Sequence, residues 1–561
     1  MKMFYRVENY YVLTGVILLG TRKRRSPIGG TLDALLESKL PHNSVNKHFY
    51  FISWNLMSSN GISMPVTDEA RVTARNLSAL FVMKVIQYPF LFLFLVFVPR
   101  LMGPEIYGKY ALFISIVMIA TSLTDFGGPS EIFGRFVPEF EIHRKPNEIK
   151  KLFGNILFLQ NTISLLAGTA LIATLYLNYK ERFSIIYFIF VLFIVIVRNN
   201  YSVYYSFLYG LNDLFKSNFL VPLRRILSLI FLLVLYHYFG FLGAVASTLG
   251  VDFCLAMPAL YWTRNYFSRN CIELDMKFLK PYLSFGAVFY LSGGLFTIWQ
   301  KLGNIFIERM THSTREVAIF DIPNQLFLLV IAFILAFNFA LAPILTKLSL
   351  DGKGYKVSKW SSMAAKYMGI LCTITFFGFA ITGERLLDIA VGSDYSGSYK
   401  NGVIQLAGIF PLIVVYLGVL FSMVYKEQFK YFASLVIAIL FFVIAAIILI
   451  PRYGSTGCAI AMTISCFAQA VVMFYLFKER LVLCLPALFK TIGFGLIFLL
   501  LLWMKQGLAI SIVVFAGATV LYILLLFASK VLTTEEFHDI LRAMRKKREP
   551  LDIEPTTSSS L

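Results

Sequence analysis

The stretch LMGPEIYGKY, residues 101–110, places Gly103, Gly108 and Lys109 so that they fit all but the last letter of the phosphate-cradling pattern G-x-x-x-x-G-K-S/T. That loop needs a buried strand before it, a helix after it and a Ser or Thr to hold magnesium. Tyr110 stands at the hydroxyl position, and the preceding residues, Tyr88 to Val98, end an apolar helical block. No nucleotide site is expected. The remaining candidates are ionisable side chains inside apolar blocks: Lys84, Asp125, Glu131, Arg135, Arg198, Arg224, Arg225, Asp252, Lys301, Glu308 and Arg309. Each costs ~2.5–3.5 kcal/mol at mid-membrane on insertion scales, so those that persist face a cavity or a partner. Lys301, Asn304 and Glu308 share one helical face, which cannot sensibly meet lipid.

Two chemistries are open to these groups. Positive charges around a cavity attract an anion; Asp125, Asp252 and Glu308 are candidate carriers of H+ or Na+, although structural pairing is the stronger reading for them. For Arg224, Arg225 and Arg309, near helix ends, the simpler role is snorkelling to headgroups or ion pairing, as Glu131 with Arg135 at i, i+4.

The elements that must position these side chains follow from composition. Hydrophobic residues make up 58% of the 561 residues and charged residues 15%, against roughly 45–50% and about 25% in ordinary soluble domains. The apolar residues fall in fourteen blocks of roughly 20 residues, the length that spans ~30 Å of hydrocarbon. They lack two-residue alternation, so the expected fold is an all-α polytopic membrane protein of about fourteen transmembrane helices. The net charge of +20 resides in short loops, which excludes nucleic acid as the partner. Lys and Arg concentrate in alternate loops, so both termini are expected to be cytoplasmic. No C-x-x-C pair and no histidine cluster suggests a metal site.

Residues 1–66 form an N-terminal extension, disordered or surface-associated, with Met64 as a candidate natural start. Residues 67–270 are expected to carry the first six spans, 271–480 the next six and 481–532 the last two. Residues 533–561 read as a basic amphipathic tail on the anionic inner leaflet. The sixth and twelfth spans open alike: Tyr238-Phe239-Gly240-Phe241-Leu242-Gly243 stands against Arg452-Tyr453-Gly454-Ser455-Thr456-Gly457, an offset of 214 residues (454 − 240). Six spans separate the copies, an even number that preserves orientation. The pattern predicts two parallel six-helix lobes plus two C-terminal helices.

The segment Leu101 to Ala111, followed by Asp125-Phe126-Gly127 and Arg135-Phe136-Val137-Pro138-Glu139, resembles the first hairpin of the polysaccharide-transport family of O-antigen-type oligosaccharide flippases. That family sits in the multidrug/oligosaccharidyl-lipid/polysaccharide (MOP, MATE-like) exporter superfamily, and the resemblance covers about residues 70 to 530. It implies a cationic cavity between the lobes, alternating access, and a polyprenyl-pyrophosphate-linked oligosaccharide as substrate in the cytoplasmic membrane. Lys84, Arg198 and Lys301 are expected to line that cavity, with Arg135, Arg225 and Arg309 as further cations. Tyr201, Tyr204 and Tyr205 are candidates to stack on sugar rings. Partners would be membrane lipids and a polysaccharide polymerase with its chain-length machinery; no cofactor is implied beyond a coupling ion. The competing functions are a cation-coupled exporter of drugs or small metabolites and a membrane glycosyltransferase or polymerase. The latter would need acidic or metal-binding residues on a sizeable loop, and all loops are short.

Overall fold

The computed structural model describes residues 67–125, 129–181, 183–267, 274–350, 352, 354–501 and 507–532. The readings of residues 1–66, including Met64, and of the tail 533–561 lie outside the described residues. Among the described residues there are helices and no strands. In chain order they are α1 (Thr67–Thr124), α2 (Pro129–Ile142), α3 (Pro146–Tyr179), α4 (Ile185–Gly210), α5 (Leu214–Thr263), α6 (Met276–Thr311) and α7 (Thr314–Leu350). Then follow α8 (Gly354–Ala390), α9 (Gly397–Ala407), α10 (Ile409–Val424), α11 (Gln428–Leu476), α12 (Lys478–Leu481), α13 (Leu485–Gly495) and α14 (Leu508–Ala528).

Ten of the described helical stretches are long and apolar enough to cross a membrane, and Leu485–Leu501 adds a shorter one. Three of the ten are broken by a positive-φ glycine: Gly103 in α1, Gly240 in α5 and Gly454 in α11. Each of these helices supplies two legs, which brings the count to the fourteen expected.

The two copies of the sequence repeat have one geometry. Gly240 has φ 56° and ψ −137°; Gly454 has φ 57° and ψ −134°. A side chain at φ near +56° with ψ near −135° is strained, so only glycine serves there cheaply. Three residues on, a Cβ added to Gly243 would strike the carbonyl of Leu235, and one added to Gly457 the carbonyl of Leu449. In a straight helix eight residues rise about 12 Å, so these contacts require the chain to double back at each break.

The lobes meet at both ends of the molecule. At the Gly103 end, Gly108 presses its bare Cα against the carbonyl of Thr314 at the start of α7, and Tyr395 Oη donates to the carbonyl of Pro99 at 2.8 Å. At the other end the amphipathic α2 lays Phe136 against Tyr282 and Phe285 of α6, and Tyr290 Oη donates to the carbonyl of Leu123 at 2.6 Å. Asp275 caps α6 by accepting from the Phe278 amide at 3.0 Å. Its second oxygen takes the Lys151 ammonium of α3 at 2.8 Å.

Gly457→Ala should therefore lower the yield and melting temperature of the detergent-solubilised protein sharply. Gly293→Ala, where a Cβ meets nothing within 4 Å, should leave both unchanged or slightly improved; equal effects would count against the doubled-back hairpin. The Lys151 ammonium and the Phe278 amide hold the Asp275 carboxyl below its ordinary range. That contribution is present above pH ~4 and is lost as acid protonates the group. Asp275→Asn should melt below the parent at neutral pH, with the gap closing toward pH ~3.

Candidate functional site

A cavity of about 410 Å³ lies where α1, α4 and α5 face α6 and α7. Both legs of α1 line it, through Leu91 and Phe94 before the break and Tyr110 and Ile114 after it. Four cations reach it: Arg198 of α4, Arg224 and Arg225 of the first leg of α5, and Lys301 of α6. Two carboxylates accompany them, Asp252 on the second leg of α5 and Asp321 on α7. The formal surplus is two positive charges.

The carboxylates are held differently. Asp252, with 1% of its side chain exposed, is clasped by two guanidiniums: Arg198 through Nε and Nη2 on Oδ2, both at 2.8 Å, and Arg224 through Nη2 on Oδ1 at 2.6 Å. A buried carboxylate needs such matching, because desolvating an unpaired ion costs several kcal/mol. The guanidinium of Arg224 lies over the Tyr201 ring at 5.0 Å, which fixes its plane. Asp321 is held mostly by neutral donors: Tyr107 Oη at 2.9 Å, Asn304 Nδ2 at 2.8 Å and Gln325 Nε2 at 3.2 Å. The Lys301 ammonium stands 4.0 Å from it, at the edge of ion-pair range. Asn304 also donates to Ser115 Oγ at 2.9 Å. Asp321 thus ties α1 of one lobe to α6 and α7 of the other. Arg225 lines the cavity with no hydrogen-bond or ion-pair partner among the described residues.

The structure brings Arg198, Arg225, Lys301 and Asp252 to one cavity, together with Arg224; for both Arg224 and Arg225 headgroup snorkelling or ion pairing is the simpler reading of the sequence. The side chain of Lys84 lies outside the described residues. Lys301, Asn304 and Glu308 are all buried, as their shared face requires, but the cavity reaches only Lys301; Glu308 is further along α6 and Arg309 is exposed there. Arg135 sits at the α2 end, 4.8 Å over the Phe285 ring. Asp125 accepts from Ser202 Oγ at 3.1 Å, away from the cavity. Of the three tyrosines, Tyr204 packs at the Phe153 and Phe267 rings, while Tyr201 and Tyr205 pair with each other beside Arg224. Lys109, the residue that prompted the phosphate-loop question, lies over the rings of Phe183, Tyr187 and Phe241 at 4.9 to 5.9 Å. Asp321 was missed, although the cost of an ionisable group in an apolar block applies equally to the run Ala318-Ile319-Phe320-Asp321-Ile322.

The model of a family described as polysaccharide biosynthesis protein matches residues 73–349, which hold the whole cavity lining. Residues 73–349, just under half of the chain, thus carry the pattern of that polysaccharide-biosynthesis family. No curated protein matches it in sequence. Among solved structures, a multidrug-resistance MATE transporter of the MOP superfamily in an inward-facing conformation has a TM-score of 0.57. It is 17% identical, over 72% of this chain and 96% of that one. The lipid II flippase MurJ, inward closed, has a TM-score of 0.52 at 15% identity, over 79% and 100%. A MOP-superfamily transporter from Pyrococcus furiosus has a TM-score of 0.53 at 16% identity, over 73% and 95%. At these identities the likeness establishes the MATE-like fold, and the chemistry of this chain must be read from its own cavity.

The Asp321 knot is testable by a double-mutant cycle. Tyr107→Phe and Asp321→Asn should each lower the melting temperature, with a coupling of about 0.5–3 kcal/mol between them; strict additivity would show that the two side chains do not interact.

Proposed function

We propose that this transporter is a flippase for lipid-linked oligosaccharides, moving polyprenyl-pyrophosphate repeat units across the cytoplasmic membrane for surface polysaccharide synthesis by alternating access. The observation that supports this reading is the surplus of two positive charges in a cavity between two lobes. Its cations offer fork-shaped and point-charge donors suited to phosphate oxygens. Sugar hydroxyls left unpaired in hydrocarbon cost several kcal/mol each, so spontaneous crossing is negligible and a polar passage removes the barrier. The lipid tail stays in the bilayer while the headgroup moves with the lobes.

On this reading the cavity, within the ~300–1,000 Å³ of ordinary ligand pockets, takes the pyrophosphate and its first sugar. Longer glycans enter as the lobes part. The drive comes from an ion gradient, with H+ or Na+ as the coupling ion, from consumption of product by a polymerase, or from both; no catalytic step is assigned to the chain. Both termini are placed in the cytoplasm, and residues 67–270, 271–480 and 481–532 form the two lobes and the closing pair of helices.

Arg225→Gln and Lys301→Gln should each reduce transport of a defined lipid-linked oligosaccharide in proteoliposomes by roughly tenfold or more, at unchanged protein level, since each removes a charge worth ~1.4 kcal/mol or more. Undiminished transport would refute the cavity assignment. Efflux of a cationic dye without transport of the lipid would favour the drug-exporter alternative.

A further inference from the structure

The four cavity cations are not equally available. Lys301 stands at 4.0 Å from a carboxylate already satisfied by Tyr107, Asn304 and Gln325, and Arg225 has no described partner. Both can meet an incoming anion without losing a close contact. Arg198 and Arg224 cannot: three of their N–H groups are spent on the two oxygens of Asp252 at 2.6 to 2.8 Å. Yet both guanidiniums keep an open side, with 18% and 30% of their side chains exposed against 1% for Asp252. An anion entering the cavity therefore meets two guanidiniums whose best donors are already occupied by an internal carboxylate.

We propose that Asp252 is an internal counter-anion that competes with the substrate's anionic headgroup for Arg198 and Arg224, and so keeps the loaded complex loose enough to unload. The inference rests on the anionic-headgroup reading proposed above. Its physical basis is that a transport site must bind well enough to fill and weakly enough to empty. A cavity holding four unopposed cations would grip a pyrophosphate and retain it. With Asp252 present, the headgroup either displaces the carboxylate from one guanidinium or accepts its repulsion, and both lower the net affinity. As the headgroup departs, Asp252 recloses the pairs, so two guanidiniums are never left unmatched in a low-dielectric cavity. The Tyr201 ring beneath Arg224 holds that guanidinium in place while its partner changes. No proton need move, and the cycle leaves the pairing as it began.

Asp252→Asn separates this role from a merely structural one. Binding of polyprenyl pyrophosphate to the purified full-length protein should tighten by about tenfold, the effect of removing one charge several Å away at an effective dielectric near 20. Transport at saturating lipid-linked oligosaccharide should slow, so KM and kcat fall together. A structural role alone would weaken binding, or leave it unchanged while lowering the melting temperature; either result overturns the proposal. If Asp252→Asn fails to fold, Asp252→Glu serves. Its longer side chain cannot keep both close contacts, so it should tighten binding to a smaller degree, and unchanged or weaker binding again overturns the idea. Failure of the unsubstituted protein to bind polyprenyl pyrophosphate would refute the headgroup reading itself. Binding by the parent with no tightening in the variants refutes only the role of Asp252.

Discussion

A cation in the middle of a bilayer has to be matched by a counter-anion, by water or by a ligand, and four of them converge here between two helical lobes. Asp252 and Asp321 neutralise part of that charge; the remainder cannot be buried dry, because desolvating an unmatched ion costs more than a helix can recover by packing. The cavity is thus required by the charges rather than being a gap the helices failed to fill. The same requirement decides which helices may surround it. Both legs of α1 and of α5 contribute lining residues, and they do so because Gly103 and Gly240 turn each chain back toward the site it has just left.

The contacts that close the lobes around this charge lie at both ends. On the Gly103 side the connection is polar: Asp321 with Tyr107, and Asn304 with Ser115. Hydrogen bonds to a charged group contribute about 1.5–3 kcal/mol net and neutral ones about 0.5–1.5 kcal/mol. On the α2 side aromatic contacts, Phe136 against Tyr282 and Phe285 with Arg135 over the same Phe285 ring, stand beside the hydrogen bond from Tyr290 to the Leu123 carbonyl. Such ring pairs contribute ~0.5–1.5 kcal/mol beyond the area they bury. A ligand can shift the balance between opening one end and opening the other only by its difference in affinity for the two states.

Span length and the glycine spacing were legible in the sequence because each depends on local chemistry. Twenty apolar residues announce a span wherever they occur, and Gly240 and Gly454 are needed by their own φ and ψ. The burial of Lys301, Asn304 and Glu308 was legible for a similar reason, since helical spacing alone puts them on one face. Partners were not. Arg198 finds Asp252 across 54 residues and Tyr107 finds Asp321 across 214, and nothing local to either residue names the other. Arg224 shows the cost of reading position alone: a residue near a helix end is as well placed to reach headgroups as to reach inward, and only the second leg of α5, carrying Asp252, decides between them. The aromatic contact of α2 with α6 escaped notice because α2 lies between spans, where the sequence offered only a short loop.

At identities of 15–17% to the solved MATE and MurJ structures the helical framework is retained. The framework survives such divergence because apolar residues of suitable size substitute for one another along a span, whereas a single charge in the cavity alters what can bind. Specificity must then reside in a handful of side chains, and in this chain they are matched to an anion more than to any particular sugar. On the function proposed above, a charge-reading cavity recognises the part that all pyrophosphate-linked repeat units would share. Discrimination among glycans would then have to come from surfaces the sugars touch once the lobes separate, where hydroxyl-specific hydrogen bonds and ring stacking act in water and each contributes little. On that proposal, a site built this way would tolerate variation in the glycan while insisting on the headgroup.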